Sequence, residues 1–136
     1  VIEGAARDKL GTAMADGLKA REPASDEAQL QRERDKALRA PCVIAIAARV
    51  KKEHKIPEVE QVLAVAAATE NMFLAAHALG YGVMWKTGPA TSGPVVKTAI
   101  GLQVDDEIVG FLYVGDFAMP GKVREPQLEG KVQWLA

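Results

Sequence analysis

Leu10, Met14 and Leu18 recur at helical spacing within residues 4–20, and Leu30 and Leu38 extend a sparser pattern through residues 24–40. Both stretches are rich in Ala, Arg, Lys, Glu and Gln, which lose little freedom in a helix, so two surface helices are predicted. Pro23 and Ser25 interrupt them, and Ser25 or Asp26 can cap the second helix by accepting from exposed backbone N–H groups. The charged run QRERDKALR then forms its solvated face. CVIAIAARV (42–50) follows Pro41 as a continuous apolar run with β-branched residues, which predicts a buried strand running into the basic loop KKEHK.

From Pro57 a long helical signal continues to Leu79, with Pro in the first turn, Glu58 and Glu60 near the positive end, and Gly80 as the stop. Its apolar residues lie on nearly every side. A helix of that kind is buried within a domain or held in a subunit interface, and its alanines allow another helix to approach closely. The expectation is a central helix shared with a partner chain. After GYG, the residues VMW predict a short strand, and GPATSGP turns the chain into a helix near Val95–Ile100 that stops at Gly101. EIVGFLYVG (107–115) is a second clear strand, in which Gly110 marks a bulge or a close backbone approach. From Asp116 the chain is punctuated by Pro and Gly and is expected to be extended. Helices and strands mix without a βαβ repeat, which gives an α+β class.

A chain of 136 residues fits one domain, and at that size roughly two thirds of the unfolded surface can be buried. Net charge is −1, with 12 Lys/Arg against 9 Asp/Glu in residues 1–55 and 5 against 9 thereafter. With a pI near 6.2, that asymmetry is too mild for a nucleic-acid footprint, and no nucleic-acid partner is expected. Cys42 is the only cysteine, so an intrachain disulfide is impossible and a small buried hydrophobe in a reducing compartment is the expectation. No apolar stretch is free of charge for a membrane span and no leader pattern is present, so a cytoplasmic protein with no membrane partner is expected. VIEG lacks an initiator Met and reads like the end of a strand, so the chain is expected to be incomplete at its start.

Several chemistries fail on spacing. His54 and His77 have no second ligand at a metal-site interval. Ser25 and Ser92, the only serines, do not sit in a G-x-S-x-G elbow. Gly80 and Gly82 follow a helix and precede a strand, the reverse of a dinucleotide fingerprint. Taken alone, GYGVMWKTG is a helix cap, a turn and a strand whose Trp85 fills the core.

The wider pattern adds chemistry. NMFLAAHALGYGVMWKTG (71–88) is followed by the strand IVGFLYVGD and by KVREPQLE (122–129). This resembles the nitroreductase family of FMN-dependent NAD(P)H oxidoreductases, especially its small single-domain members with Trp-Arg/Lys-Ser/Thr-Gly at this step. The resemblance implies a nitroreductase-like mixed sheet flanked by helices. It also implies that Trp85, Lys86, Thr87 and Gly88 lie against the flavin, with backbone N–H groups reaching its N5 and O4 edge. Lys122 and Arg124 match a stretch that supplies a basic group to the FMN phosphate, where guanidinium offers paired donors.

Fixed donors and a nearby cation suit a reduced flavin, which carries extra electron density over N5, N1 and its carbonyl oxygens. The implied activity is ping-pong hydride transfer from NAD(P)H to a small-molecule electron acceptor such as a nitroaromatic or quinone, in a homodimer with the flavin between subunits. Because the family begins with an Arg-rich phosphate-gripping segment, residues 1–136 are expected to form a single domain that lacks it, N-terminally incomplete. The alternative is a cofactor-free dimerisation or binding module that keeps the core but has lost its flavin grip.

Overall fold

The structure, a computed structural model, describes residues 1–116, 121 and 125–135. Nine elements follow in order: β1 (Ile2–Glu3), α1 (Ala6–Arg21), α2 (Glu27–Lys36), β2 (Cys42–Ala48), α3 (Glu58–Ala78), β3 (Gly82–Lys86), α4 (Pro89–Ser92), α5 (Pro94–Ala99) and β4 (Glu107–Gly115). The mixture of helices and a single sheet is the α+β class that the pattern predicts. Of the two capping candidates, Asp26 is the one that acts. Its carboxylate accepts from the Gln29 N–H at 2.7 Å while the Gln29 side chain accepts from the Asp26 N–H at 2.7 Å, a reciprocal capping box. Ser25 is instead buried, and its Oγ has no hydrogen-bond partner among the described residues.

The four strands lie in the order β1-β2-β4-β3, and each neighbouring pair is antiparallel. Alternation along the strands gives the sheet two faces. Val43, Ala45 and Ala47 of β2 with Ile108, Phe111 and Tyr113 of β4 form one face, which packs under Leu10, Ala13 and Met14 of α1 and Val96 of α5. Helix α3 contacts β2, β3 and β4 from the other face, where Leu112 and Thr69 are fully buried. The Thr69 hydroxyl donates to the Val65 carbonyl of its own helix at 2.8 Å, so its burial leaves no polar group unpaired.

Two expectations need correction. β2 ends at Ala48 rather than Val50, and only Val43 and Ala48 among its residues are fully buried, because the short β1 and the single helix α3 cover it incompletely. Within the chain, α3 is not buried: Thr69 is its only buried residue, while Val59, Leu63, Met72 and Leu74 are all exposed. A single sheet can meet only one stripe of a helix, here Val62, Val65, Ala66, Thr69, Phe73 and Ala76, so the remaining apolar sides face outward. The turn α4 also precedes the expected helix, which spans Pro94–Ala99. Among the described residues no helix is long and apolar enough to cross a membrane.

Candidate functional site

At the end of α3 the chain reverses through Gly80, whose φ of 85° is open to glycine at little cost. The Tyr81 N–H donates to the Ala76 carbonyl and the Gly80 N–H to the His77 carbonyl, both at 3.0 Å, closing the helix and feeding β3. Among the described residues β3 is an edge strand, paired only to β4, with Met84 opposite Tyr113, Trp85 opposite Leu112, and Lys86 opposite Phe111. These pairs place Met84 and Lys86 on the face under α1, and Trp85 on the face under α3. Adjacent residues in a strand cannot do otherwise.

The indole of Trp85 has a specific seat. In the β2–β4 ladder Ile46 pairs with Gly110 but Ala47 pairs with Ile108, so Val109 is the extra residue of a bulge in β4. The Trp85 ring lies directly over Gly110, where even a methyl group would collide with it. Its Nε1–H donates to the Val109 carbonyl at a long 3.4 Å. Both alternatives for Gly110, a bulge and a close approach, are therefore present together.

Beyond β3 the chain leaves the ladder. Gly88 has φ 140°, a left-handed conformation that favours glycine, and nothing lies within 4 Å of where a Cβ would be. Its carbonyl turns into α4, accepting from the Thr91 N–H at 2.9 Å and the Thr91 hydroxyl at 2.8 Å. Among the described residues the Thr87 and Gly88 N–H groups have no acceptor outside the strand ladders. Thr87 and Gly88 both line a cavity at this edge of the sheet.

That inner cavity, about 210 Å³, is lined by Lys86, Thr87 and Gly88 together with Met14, Arg39 and Tyr113. A second cavity of about 330 Å³ opens beside it, lined by Pro41, Met84 and Asp116, and again by Arg39, Lys86 and Tyr113. Burial pushes the Tyr113 phenol above its ordinary range, Arg39 opposes that push and Glu33 adds to it. Of the residues expected at the site, Lys86, Thr87 and Gly88 come together, whereas the Trp85 side chain lines neither cavity. Lys122 and Arg124 lie outside the described residues. Sequence reasoning missed Arg39 and Tyr113. The alternation of β4 carries a signal for Tyr113, but Arg39 is indistinguishable in sequence from its solvated neighbours.

The sequence model of the Nitroreductase family matches residues 1–116. The chain belongs to the nitroreductase family. The chain is 37% identical over 115 residues to YdjA of Escherichia coli (strain K12), which bears the provisional name NAD(P)H nitroreductase. The match takes in 85% of the present chain and 62% of YdjA, so the chain spans about three fifths of that relative's length.

A solved nitroreductase-like family protein from Bacillus cereus shares 29% identity at a TM-score of 0.79, over 98% of this chain and 70% of that one. A nitroreductase with bound FMN from Bacteroides fragilis NCTC 9343 has the same fold, with a TM-score of 0.66 at 20% identity over 100% of this chain and 73% of the other. The nitroreductase fold is therefore shared by proteins much diverged in sequence.

Proposed function

We propose that this chain belongs to an FMN-dependent NAD(P)H oxidoreductase that works as a homodimer and passes electrons to a small-molecule acceptor of the nitroaromatic or quinone type. The observation that carries the proposal is the end of β3: two main-chain donors, Thr87 and Gly88, which have no acceptor outside the strand ladders among the described residues, beside a cavity that Lys86 also lines. Such a donor pair fits an electron-rich ring edge, because fixed N–H dipoles need no reorganisation when negative charge builds up. The glycine keeps that approach free of side-chain bulk. Lys86 adds a positive charge near the same edge, and Lys122 and Arg124 are assigned to the cofactor phosphate.

Held at this edge, FMN would supply two-electron redox chemistry, so that NAD(P)H and the acceptor could use one site in turn. The protein's part is to hold and orient. Thr87 and Gly88 would hold the ring edge, and Lys86 would favour the more negative state. Trp85 contributes through its main chain and by anchoring the strand, its ring being turned to the α3 face. The exposed apolar residues of α3, Val59, Leu63, Met72 and Leu74, supply the dimer surface, since patches of this kind on one helix mark an interface.

The test is a titration of the purified protein with FMN, followed by flavin fluorescence and visible absorbance, together with sedimentation. Quenching, a bound-flavin spectrum and a dimer mass are expected. A colourless protein that leaves FMN fluorescence unquenched would remove the flavin proposal for this chain and leave the cofactor-free module standing.

A further inference from the structure

The ladder between β3 and β4 ends at Lys86 opposite Phe111. In the same register Thr87 would come opposite Gly110, but β4 bulges at that point and the pairing stops. The end of an edge strand frays unless something beyond the ladder pins it. Here the Trp85 indole does so from the α3 face. It covers Gly110 and directs Nε1–H to the Val109 carbonyl at 3.4 Å, while the Lys86 carbonyl oxygen lies 3.0 Å from where a Cβ on the same glycine would be. Ring and main chain of β3 therefore pack together on one residue that has no side chain. The hydrogen bond is too long to hold the strand, so the contact of ring on glycine is the anchor.

The outgoing side is held separately. The Gly88 carbonyl accepts from the Thr91 N–H at 2.9 Å and the Thr91 hydroxyl at 2.8 Å, both from three residues along the chain. That anchor is local and shapes the turn, whereas the Trp85 seat ties the turn to another strand. Thr87 and Gly88 lie between the two.

We propose that Trp85 is a positioning residue for the cofactor edge: its indole, seated on Gly110 at the β4 bulge, fixes where the Thr87 and Gly88 main chain leaves the sheet. It thereby sets how well those N–H groups meet the ring edge of a flavin. The proposal rests on the flavin reading for what is met; the seat itself stands on the strand pair. The Trp85 ring lines neither cavity that Lys86 lines, so it acts through the main chain alone. Its effect is larger on reduced than on oxidised flavin, because aligned dipoles gain most where negative charge is greatest.

The experiment uses Trp85→Leu, which removes the ring, and Trp85→Phe, which keeps a flat ring and removes the N–H. Gly110→Ala displaces the same ring from β4 and serves as the second disrupting variant. Gly11→Ala, whose added methyl would strike the Arg34 carbonyl between α1 and α2, controls for lost stability alone. On the proteins without FMN, nuclear spin relaxation reads the backbone order of Thr87 and Gly88. Order parameters near the rigid value of about 0.85 are expected in the parent, Trp85→Phe and Gly11→Ala, and below about 0.6 in Trp85→Leu and Gly110→Ala. On the proteins loaded with FMN, redox titration reads the midpoint potential. The two disrupting variants are expected to lose affinity for reduced FMN about tenfold more than for oxidised FMN, a fall of about 30 mV, with the parent's potential kept in Trp85→Phe and Gly11→Ala.

Parental order at Thr87 and Gly88 in both disrupting variants, or the same loss in Gly11→Ala, would overturn the proposal. If the parent takes up no FMN, the flavin reading falls and relaxation alone decides whether the seat holds the edge. If FMN binds and the disrupting variants lose order but keep the parent's potential, the flavin reading stands and the positioning role falls.

Discussion

Replacing Gly110 with alanine puts a methyl group where the Trp85 ring now lies. The added Cβ would sit 2.7 Å from Trp85 Cδ1, nearer still to Nε1, and 3.0 Å from the Lys86 carbonyl oxygen. Carbon atoms in comfortable contact are about 3.5–4.0 Å apart, so the ring must leave its seat or β3 must shift outward. Overpacking of this kind costs about 1–3 kcal/mol, and losing the Nε1–H bond to the Val109 carbonyl adds about 1 kcal/mol, less if water replaces it. A total of about 3 kcal/mol is expected. With a urea slope of about 2 kcal/mol/M for a domain of this size, the unfolding midpoint should fall by about 1.5 M.

The informative control is Trp85→Leu, which keeps an apolar residue but removes the ring that the methyl group strikes. In that background Gly110→Ala should cost about 1 kcal/mol or less, the remainder coming from the Lys86 carbonyl, so the pair should show a coupling of about 2 kcal/mol. Urea unfolding of the four proteins measures it. A Gly110→Ala midpoint indistinguishable from the parent's, or the same loss in both backgrounds, would refute the idea that Gly110 exists to seat the indole.

Gly11 poses the same question between helices: a Cβ there would lie 2.6 Å from the Arg34 carbonyl oxygen of α2, so Gly11→Ala should pry α1 from α2 and lower stability by about 2 kcal/mol, read by thermal unfolding. Tyr113 makes an alkaline prediction. Its phenol is raised from the ordinary value of 10.0, chiefly by burial, so stability is full below that pH and is lost as pH rises through the higher folded-state value, where the unfolded chain ionises first. Urea midpoints between pH 8 and pH 11 should therefore decline less steeply in Tyr113→Phe than in the parent; parallel declines would show that the phenol does not contribute.

Where the helices α2 and α3 begin and end is written in local chemistry, and those ends were legible. Asp26 and Gln29 reciprocate at the start of α2, Pro57 opens α3, and Gly80 closes it with the one conformation that lets the chain turn back. What covers an apolar face is not local. The side of α3 that meets the sheet includes Thr69, its most buried residue, while Leu63 and Leu74 on other sides stay exposed. Transfer of a leucine from water gains the same free energy whether the new neighbour is the chain's own strand or another copy, so hydropathy cannot separate them. Arg39 was hidden for a related reason: a cation past a helix end looks the same in sequence whether it faces water or a cleft.

Trp85 and Lys86 show what strand geometry alone can decide. Adjacent residues of β3 must point to opposite faces, so the Trp-Lys step could never present both side chains to one ligand; only its main chain can continue toward Thr87 and Gly88 along one edge. The bulge then breaks the simple alternation in β4. Under unbroken alternation Ile108 would share a face with Gly110 and Leu112, yet it packs in the core with Phe111 and Tyr113. One inserted residue therefore does two things at once: it returns Ile108 to the α1 side and offers the Val109 carbonyl to the indole on the α3 side. Gly110 is the residue that permits both. The position of the Lys86–Gly88 edge depends on a site in another strand, 24 residues away from Trp85 in the chain, which no reading of the Trp-Lys-Thr-Gly stretch by itself could reveal.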